Sequence, residues 1–283
     1  MQIKTAGMVV DEKNPRSPYI ASDIINDLLS NNIDVVVYPP TKFTDNNVRL
    51  VDSIQDVTGD IVFSVGGDGT ILRTFLFLKD KDTPVMGIGL GEKNFLSSVT
   101  WENYKIGVQR ILDGKVYIKQ EMRLDVEIEG YNKLSLPPIL NDAVLATATL
   151  GKTIYAYVAL LEDEGEIDLW SGKCDGVIIS TPIGSTAYSY AAGGPVIDTD
   201  LESIVVTPLL PVDRKPIIVM KPERKLVIWA SRKRNKPILV LDGQIKIGLD
   251  WEDKVVIKKS ENYANFVVID KRMSISRMVK ASR

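Results

Sequence analysis

The sequence predicts an α/β N-terminal domain, a parallel sheet flanked by helices, followed by a β-rich C-terminal domain. Two observations carry this. Up to about residue 113, short apolar runs alternate with stretches of helical spacing. After Asp113-Gly114 that spacing ends, and brief strand-like runs follow one another with turn residues between them.

Thr5 to Val10 reads as a buried strand, with residues 11–18 as its loop. From Pro18 to Leu29, the side chains Ile20, Ile24, Ile25, Leu28 and Leu29 share one helical face. Val35 to Tyr38 is a second strand, closed by Pro39-Pro40. Ile61 to Val65 is a third, after which Leu72, Phe75, Leu76 and Lys79 return to helical spacing. Residues 84–89 make a fourth strand and residues 101–112 a helix that Thr100 is placed to cap. Apolar strands alternating with amphipathic helices belong to a parallel sheet covered on both faces.

The first domain is therefore taken as residues 1–113 and the second as 114–270. Within the second, strands are expected at 124–128, 153–158, 177–180, 204–207, 217–220, 226–229, 238–242 and 255–258. Arg232 to Lys236 reads as a solvated hairpin loop. The basic segment from Lys271 to Arg283 is expected to be a helix that packs back on the first domain.

Composition removes whole classes of chemistry. The 283 residues include one Cys and no His, so Ser-His-Asp and Cys-His machinery, His-ligated zinc and imidazole proton transfer are all excluded. Acid–base work falls to carboxylates, Lys or Tyr, and any metal would be a hard, oxygen-ligated ion such as Mg²⁺. With 35 Lys+Arg against 37 Asp+Glu, neither nucleic acid nor a membrane is expected as partner. No apolar stretch approaches a bilayer span and the first residues lack a secretory apolar segment. The expected address is the cytoplasm.

Three clusters could carry chemistry. In Phe63-Ser64-Val65-Gly66-Gly67-Asp68-Gly69-Thr70, a buried strand passes through glycines into a helix. Helix-start N–H groups and the positive end of the dipole favour phosphate there, and glycine lets the backbone approach it. Asp68 would repel phosphate unless it holds a metal or takes a proton, which suits a phosphotransferase; the alternative is a turn in which Asp68 caps the helix. The second cluster runs from Asp175-Gly176 through Thr181-Pro182-Ile183-Gly184-Ser185-Thr186-Ala187-Tyr188 to Gly193-Gly194-Pro195, either a capped turn or a polar-ligand site. The third is Asn141-Asp142 in an apolar strand-like run, needing partners if buried and otherwise a sheet edge.

In this order the clusters resemble NAD kinases. Thr207-Pro208-Leu209-Leu210-Pro211, Arg214 to Ile217 and Asp242-Gly243-Gln244 extend the resemblance nearly to the C-terminus. It implies a two-domain kinase, with the active site between the domains, that moves a phosphoryl group from ATP or polyphosphate to the 2′-hydroxyl of the adenosine ribose of NAD. Asp68 would be the base. Gly66, Gly67, Gly69, Thr70, Arg73 and Gln244 are implied in substrate and nucleotide binding. Asn141 and Asp142 would hold ribose hydroxyls. Asp175, Ile183, Thr186, Ala187 and Tyr188 would line the NAD pocket, with Phe95 near the adenine. Mg²⁺ or another divalent ion would arrive with the phosphates rather than on protein ligands. A homodimer or homotetramer is implied, because in the family a neighbouring subunit completes the pocket.

Some residues depart from the family pattern. Asp142 stands where Glu is usual. In Gly89-Leu90-Gly91-Glu92-Lys93-Asn94-Phe95-Leu96, Gly89 replaces a common Asn and Asn94 a common Gly. Two other classes share part of the pattern. A lipid or sphingoid-base kinase has a similar glycine-aspartate loop but calls for an apolar acceptor channel. A non-catalytic dinucleotide-binding protein would retain the pocket without turnover.

Overall fold

The computed structural model describes residues 3–40, 47–91, 94–130, 133–231, 235–251 and 253–270. Residues 232–234 of the basic loop and the whole 271–283 segment, expected to pack on the first domain, lie outside these. The chain divides into two compact units, one of the described residues up to Glu121 with those from Tyr263 on, and one of Met122–Asn262.

The first unit is built on a sheet in the order Val48–Leu50, Asp34–Tyr38, Thr5–Val10, Ile61–Gly66, Val85–Gly89, Ala264–Val268, Tyr117–Glu121. Its strands are parallel except for the last pair, where Ala264–Val268 meets Tyr117–Glu121 antiparallel. The central strands are apolar because both of their faces are covered. Met8, Val10, Phe63 and Val65 pack with Ile20, Ile24, Ile25 and Leu28 of the helix Ser17–Ser30 and with Val108 and Ile111 of the helix Tyr104–Leu112. Burying a side chain of this size contributes about 1.5–3 kcal/mol.

Two expectations are corrected here. The domain limits of 113 and 270 shift, because Tyr117–Glu121 and Ala264–Val268 pair with each other and extend the first sheet. The helix expected from residue 101 begins at Tyr104, and Thr100 does not cap it. Thr100 is held in a short strand beside Gly89, and its N–H donates to Asn103 Oδ1 at 2.8 Å, which makes residues 101–103 a turn.

The second unit holds two antiparallel six-stranded sheets. One runs Ile218–Met220, Ile204–Leu209, Gly176–Ser180, Asp142–Thr147, Pro237–Leu241, Ile245–Gly248. The other runs Gly165–Cys174, Ile154–Glu162, Leu226–Ala230, Lys254–Lys259, Leu124–Glu129, Leu134–Ser135. The expected strand at 153–158 is the start of a longer hairpin, Ile154–Glu162 against Gly165–Cys174, with a register shift at Val158/Ala159. Among the described residues, no helix is long and apolar enough to cross a membrane.

Candidate active site

In the first unit, the strand Ile61–Gly66 runs into the helix Asp68–Phe77 through Gly67. Gly66 is required by space: a Cβ there would fall 2.4 Å from Thr70 Oγ1 and 2.9 Å from Asp11 Cβ. Gly67 is open, since a Cβ there would meet nothing within 4 Å, so this side of the turn is free for a ligand to approach. A ten-residue helix starts at this turn, which puts the positive end of its dipole there, while the Thr70 and Ile71 amides bond Gly67 O.

Asp68 does not cap this helix. It is the first helical residue, Gly67 is the cap position, and no side-chain cap bond is made there. The Asp68 carboxylate accepts hydrogen bonds from the Phe95 N–H (2.9 Å, Oδ2) and the Leu96 N–H (3.0 Å, Oδ1). Two backbone donors from a separate loop fix the orientation of the acid. Arg73 lies half-buried on the helix, Gly69 is exposed and Thr70 is buried.

In the second unit a cleft of about 420 Å³ is lined by Asn141, Asp142, Ala187, Tyr188, Asp242 and Gly243, with Val144, Ala146 and Val240. Three sets of contacts build it. Asp242 and Gly243 form a hairpin turn with φ of 48° and 66°, the doubly left-handed geometry that Asp-Gly favours. From this turn the buried Asp242 carboxylate reaches three successive amides, Leu140 at 2.8 Å, Asn141 at 2.7 Å and Asp142 at 3.1 Å. From the other side, Thr181 Oγ1 donates to Leu140 O and accepts from the Gly184 N–H at 3.0 Å. Gly184 comes so close that a Cβ would lie 2.0 Å from Asn141 O, and only glycine fits. Asn141-Asp142 is therefore gripped from two sides before any ligand arrives.

The electrostatics follow from burial. Asp142 is 5% exposed, and burial first, then the neighbouring Asp242, push its carboxyl up to about 7. Burial also raises the Asp242 carboxyl, while the three amides and Arg123 pull against that rise. Arg123 is itself buried at 1% exposure; desolvation lowers its guanidinium to about 10 despite the attraction of Asp242. Tyr188 is 46% exposed and presents a ring at the cleft.

Family comparison turns on both halves of the chain. Residues 9–116 match a family model described as the ATP-NAD kinase N-terminal domain, and residues 104–269 match the ATP-NAD kinase C-terminal domain. The NAD kinase of Methanothermobacter thermautotrophicus is 34% identical, over 89% of this chain and 87% of its own. The chain belongs to the NAD kinase family. The NAD kinase of Clostridium beijerinckii is 36% identical over 81% of this chain and 82% of its own. Two crystal structures share the fold. An NAD kinase from Archaeoglobus fulgidus in complex with ATP has a TM-score of 0.79 at 24% identity, covering 98% of each chain. Yeast NADH kinase complexed with NADH has a TM-score of 0.85 at 19% identity, covering 98% of this chain and 86% of the other.

With the family established, the residues expected from sequence sort into distinct local roles. Asn141, Asp142, Ala187 and Tyr188 line one cleft. Asp175, Ile183, Thr186 and Gln244 do not line it. Asp175 joins two strands, and its backbone is bonded to Leu209 O and Thr147 N. Ile183 is buried, and Thr186 Oγ1 donates back to Ile183 O at 3.2 Å. Gln244 closes the hairpin turn through its N–H to Leu241 O at 2.8 Å. Ser185 is structural: its hydroxyl bonds Pro182 O at 2.6 Å and accepts the Ile197 N–H at 2.9 Å. The residues the sequence reading passed over as site members are Thr181, Arg123 and Asp242. Thr181 opens the hydroxyl-rich run of the second cluster, Asp242 carries the Asp-Gly turn, which predicts a hairpin rather than a clamp, and Arg123 has no local signal.

Proposed function

We infer that this chain is an NAD kinase that phosphorylates the 2′-hydroxyl of the adenosine ribose of NAD, with ATP as donor, to give NADP and ADP. The observation that carries the reading is Asp68: a carboxylate at the head of a glycine-flanked helix, fixed by two backbone amides, in a chain whose halves match both ATP-NAD kinase domains. Phosphoryl transfer asks mainly for alignment and charge neutralisation, so the absence of histidine is no handicap.

In this mechanism Asp68 accepts the proton of the attacking hydroxyl while that oxygen bonds to the terminal phosphorus. The bond from phosphorus to the bridging oxygen breaks, and ADP leaves with the electron pair. Amides at the start of Asp68–Phe77, with Gly66, Gly67, Gly69, Thr70 and Arg73 around them, cradle the donor phosphates. Asn141 and Asp142 accept ribose hydroxyls of NAD. Thr186, Ala187 and Tyr188, with Ile183, Asp175 and Gln244 behind them, shape the dinucleotide pocket, and Phe95 packs near the adenine. A divalent ion arriving with the donor phosphates would add charge neutralisation to that of these amides and Arg73.

Use of polyphosphate, assembly as a homodimer or homotetramer, and a cytoplasmic address belong to the same proposal; sedimentation of the purified chain tests the assembly state. The activity is tested by incubating the protein with NAD, ATP and Mg²⁺ and measuring NADP with an NADP-specific dehydrogenase. NADP formation that depends on all three is expected. Failure to form NADP from any donor, ATP or polyphosphate, would overturn the assignment.

A further inference from the structure

The loop that orients Asp68 is held at a point where two residues compete for one volume. Gly89 ends the strand Val85–Gly89 and is not among the left-handed glycines, so its backbone does not call for glycine. Space does. A Cβ at 89 would fall 2.4 Å from Asn94 Cγ, 2.5 Å from Asn94 Oδ1 and 2.8 Å from Ser97 Oγ. The Asn94 carboxamide fills the place that a side chain on residue 89 would take. Asn94 is 5% exposed, and its Nδ2 donates to Gly91 O at 2.6 Å, drawing the loop closed. The next two residues are Phe95 and Leu96, whose amides hold the Asp68 carboxylate at 2.9 and 3.0 Å. At the other end of the loop, the Leu90 N–H bonds Gly66 O at 3.0 Å. The loop is thus tied to the glycine turn at both ends, with the carboxamide packed between.

We propose that Asn94 is a positioning residue for Asp68, and that it and Gly89 form a coupled pair sharing one side-chain volume. Asn94 acts through Phe95 and Leu96 and does not itself meet substrate. The inference rests on reading Asp68 as the base.

The test uses the full chain with three variants: Asn94→Gly, Gly89→Ala and the reciprocal G89N/N94G. Displacing a positioned group by about 1 Å can cost about 10²-fold in rate. Asn94→Gly, which empties the volume, and Gly89→Ala, which pushes a methyl into the carboxamide, should each lower kcat roughly 10- to 100-fold. Their calorimetric Kd for NAD should stay within about twofold of the parent, the split expected of misplaced chemistry rather than lost binding. The reciprocal variant refills the volume, with a rotation of the Ser97 hydroxyl, and should recover most of the lost kcat, a non-additivity expected only of residues in contact. Either folded single variant turning over like the parent would overturn the proposal. So would a reciprocal variant no faster than the slower single. Should a single variant fail to fold, an active reciprocal variant still supports the pairing and an inactive one sinks it. An inactive parent would instead count against the kinase assignment.

Discussion

Replacing Asp142 by Asn should stabilise the fold above neutral pH while weakening NAD binding. In the folded chain the Asp142 carboxyl is pushed from 3.8 up to about 7, by burial and then by Asp242. In the unfolded chain it titrates near its ordinary value. Between those two values the folded state binds a proton that the unfolded state has lost, so this group makes stability fall as pH rises, with the loss complete above about 7. The sign is opposite to that of a salt-bridged carboxylate. A displacement of about three units corresponds to on the order of 4 kcal/mol. Asn carries no charge, so Asp142→Asn should be more stable than the parent at pH 8 by a few kcal/mol, less whatever its carboxamide loses for want of partners. Near pH 4 that advantage should vanish. Urea denaturation at pH 4, 6 and 8 reads the difference directly. A difference between variant and parent that does not change with pH would refute the reasoning. Calorimetry at pH 8 should show about tenfold weaker NAD binding, the loss of one charge-assisted hydrogen bond.

Two further outcomes follow from the second unit. Asp242→Asn turns one acceptor oxygen into a donor facing amide donors and removes one of the two carboxylates, Asp242 and Asp125, that attract the buried Arg123 guanidinium. Leaving a buried donor unsatisfied costs about 1–3 kcal/mol, which should lower the melting temperature by roughly 5 °C in a chain of this size; a melt within about 1 °C of the parent would contradict the clamp. Tyr188→Ala removes the exposed ring at the cleft and should raise the calorimetric Kd for NAD several-fold, by about 1 kcal/mol, with little change in kcat. An unchanged Kd would take Tyr188 out of the pocket.

Much of this was legible in the sequence, for physical reasons that also mark where legibility ends. The strands Thr5–Val10 and Ile61–Gly66 are covered on both faces and so appear as unbroken apolar runs. Tyr117–Glu121 has only Glu121 buried, and its partner lies more than 140 residues away, so nothing local announces it. Gly165–Cys174 reads as polar because its first four residues are exposed. The glycine-aspartate turn was legible because backbone freedom and helix-start chemistry leave a residue-level trace. What holds Asp68 was not, because Phe95 and Leu96 contribute amides, which every residue has. The Asp242 clamp was hidden likewise: the three amides that donate to its carboxylate lie some 100 residues earlier and meet it only through strand register.

The account hangs on Asp68, and comparing Asp68→Asn with the parent tests it most directly. A positioned general base is worth about 10²–10⁴ in rate, so NADP formation at saturating NAD and ATP should drop by that factor while the calorimetric Kd for NAD stays nearly unchanged. A variant that binds NAD and turns over at close to the parental rate would show that another group takes the proton.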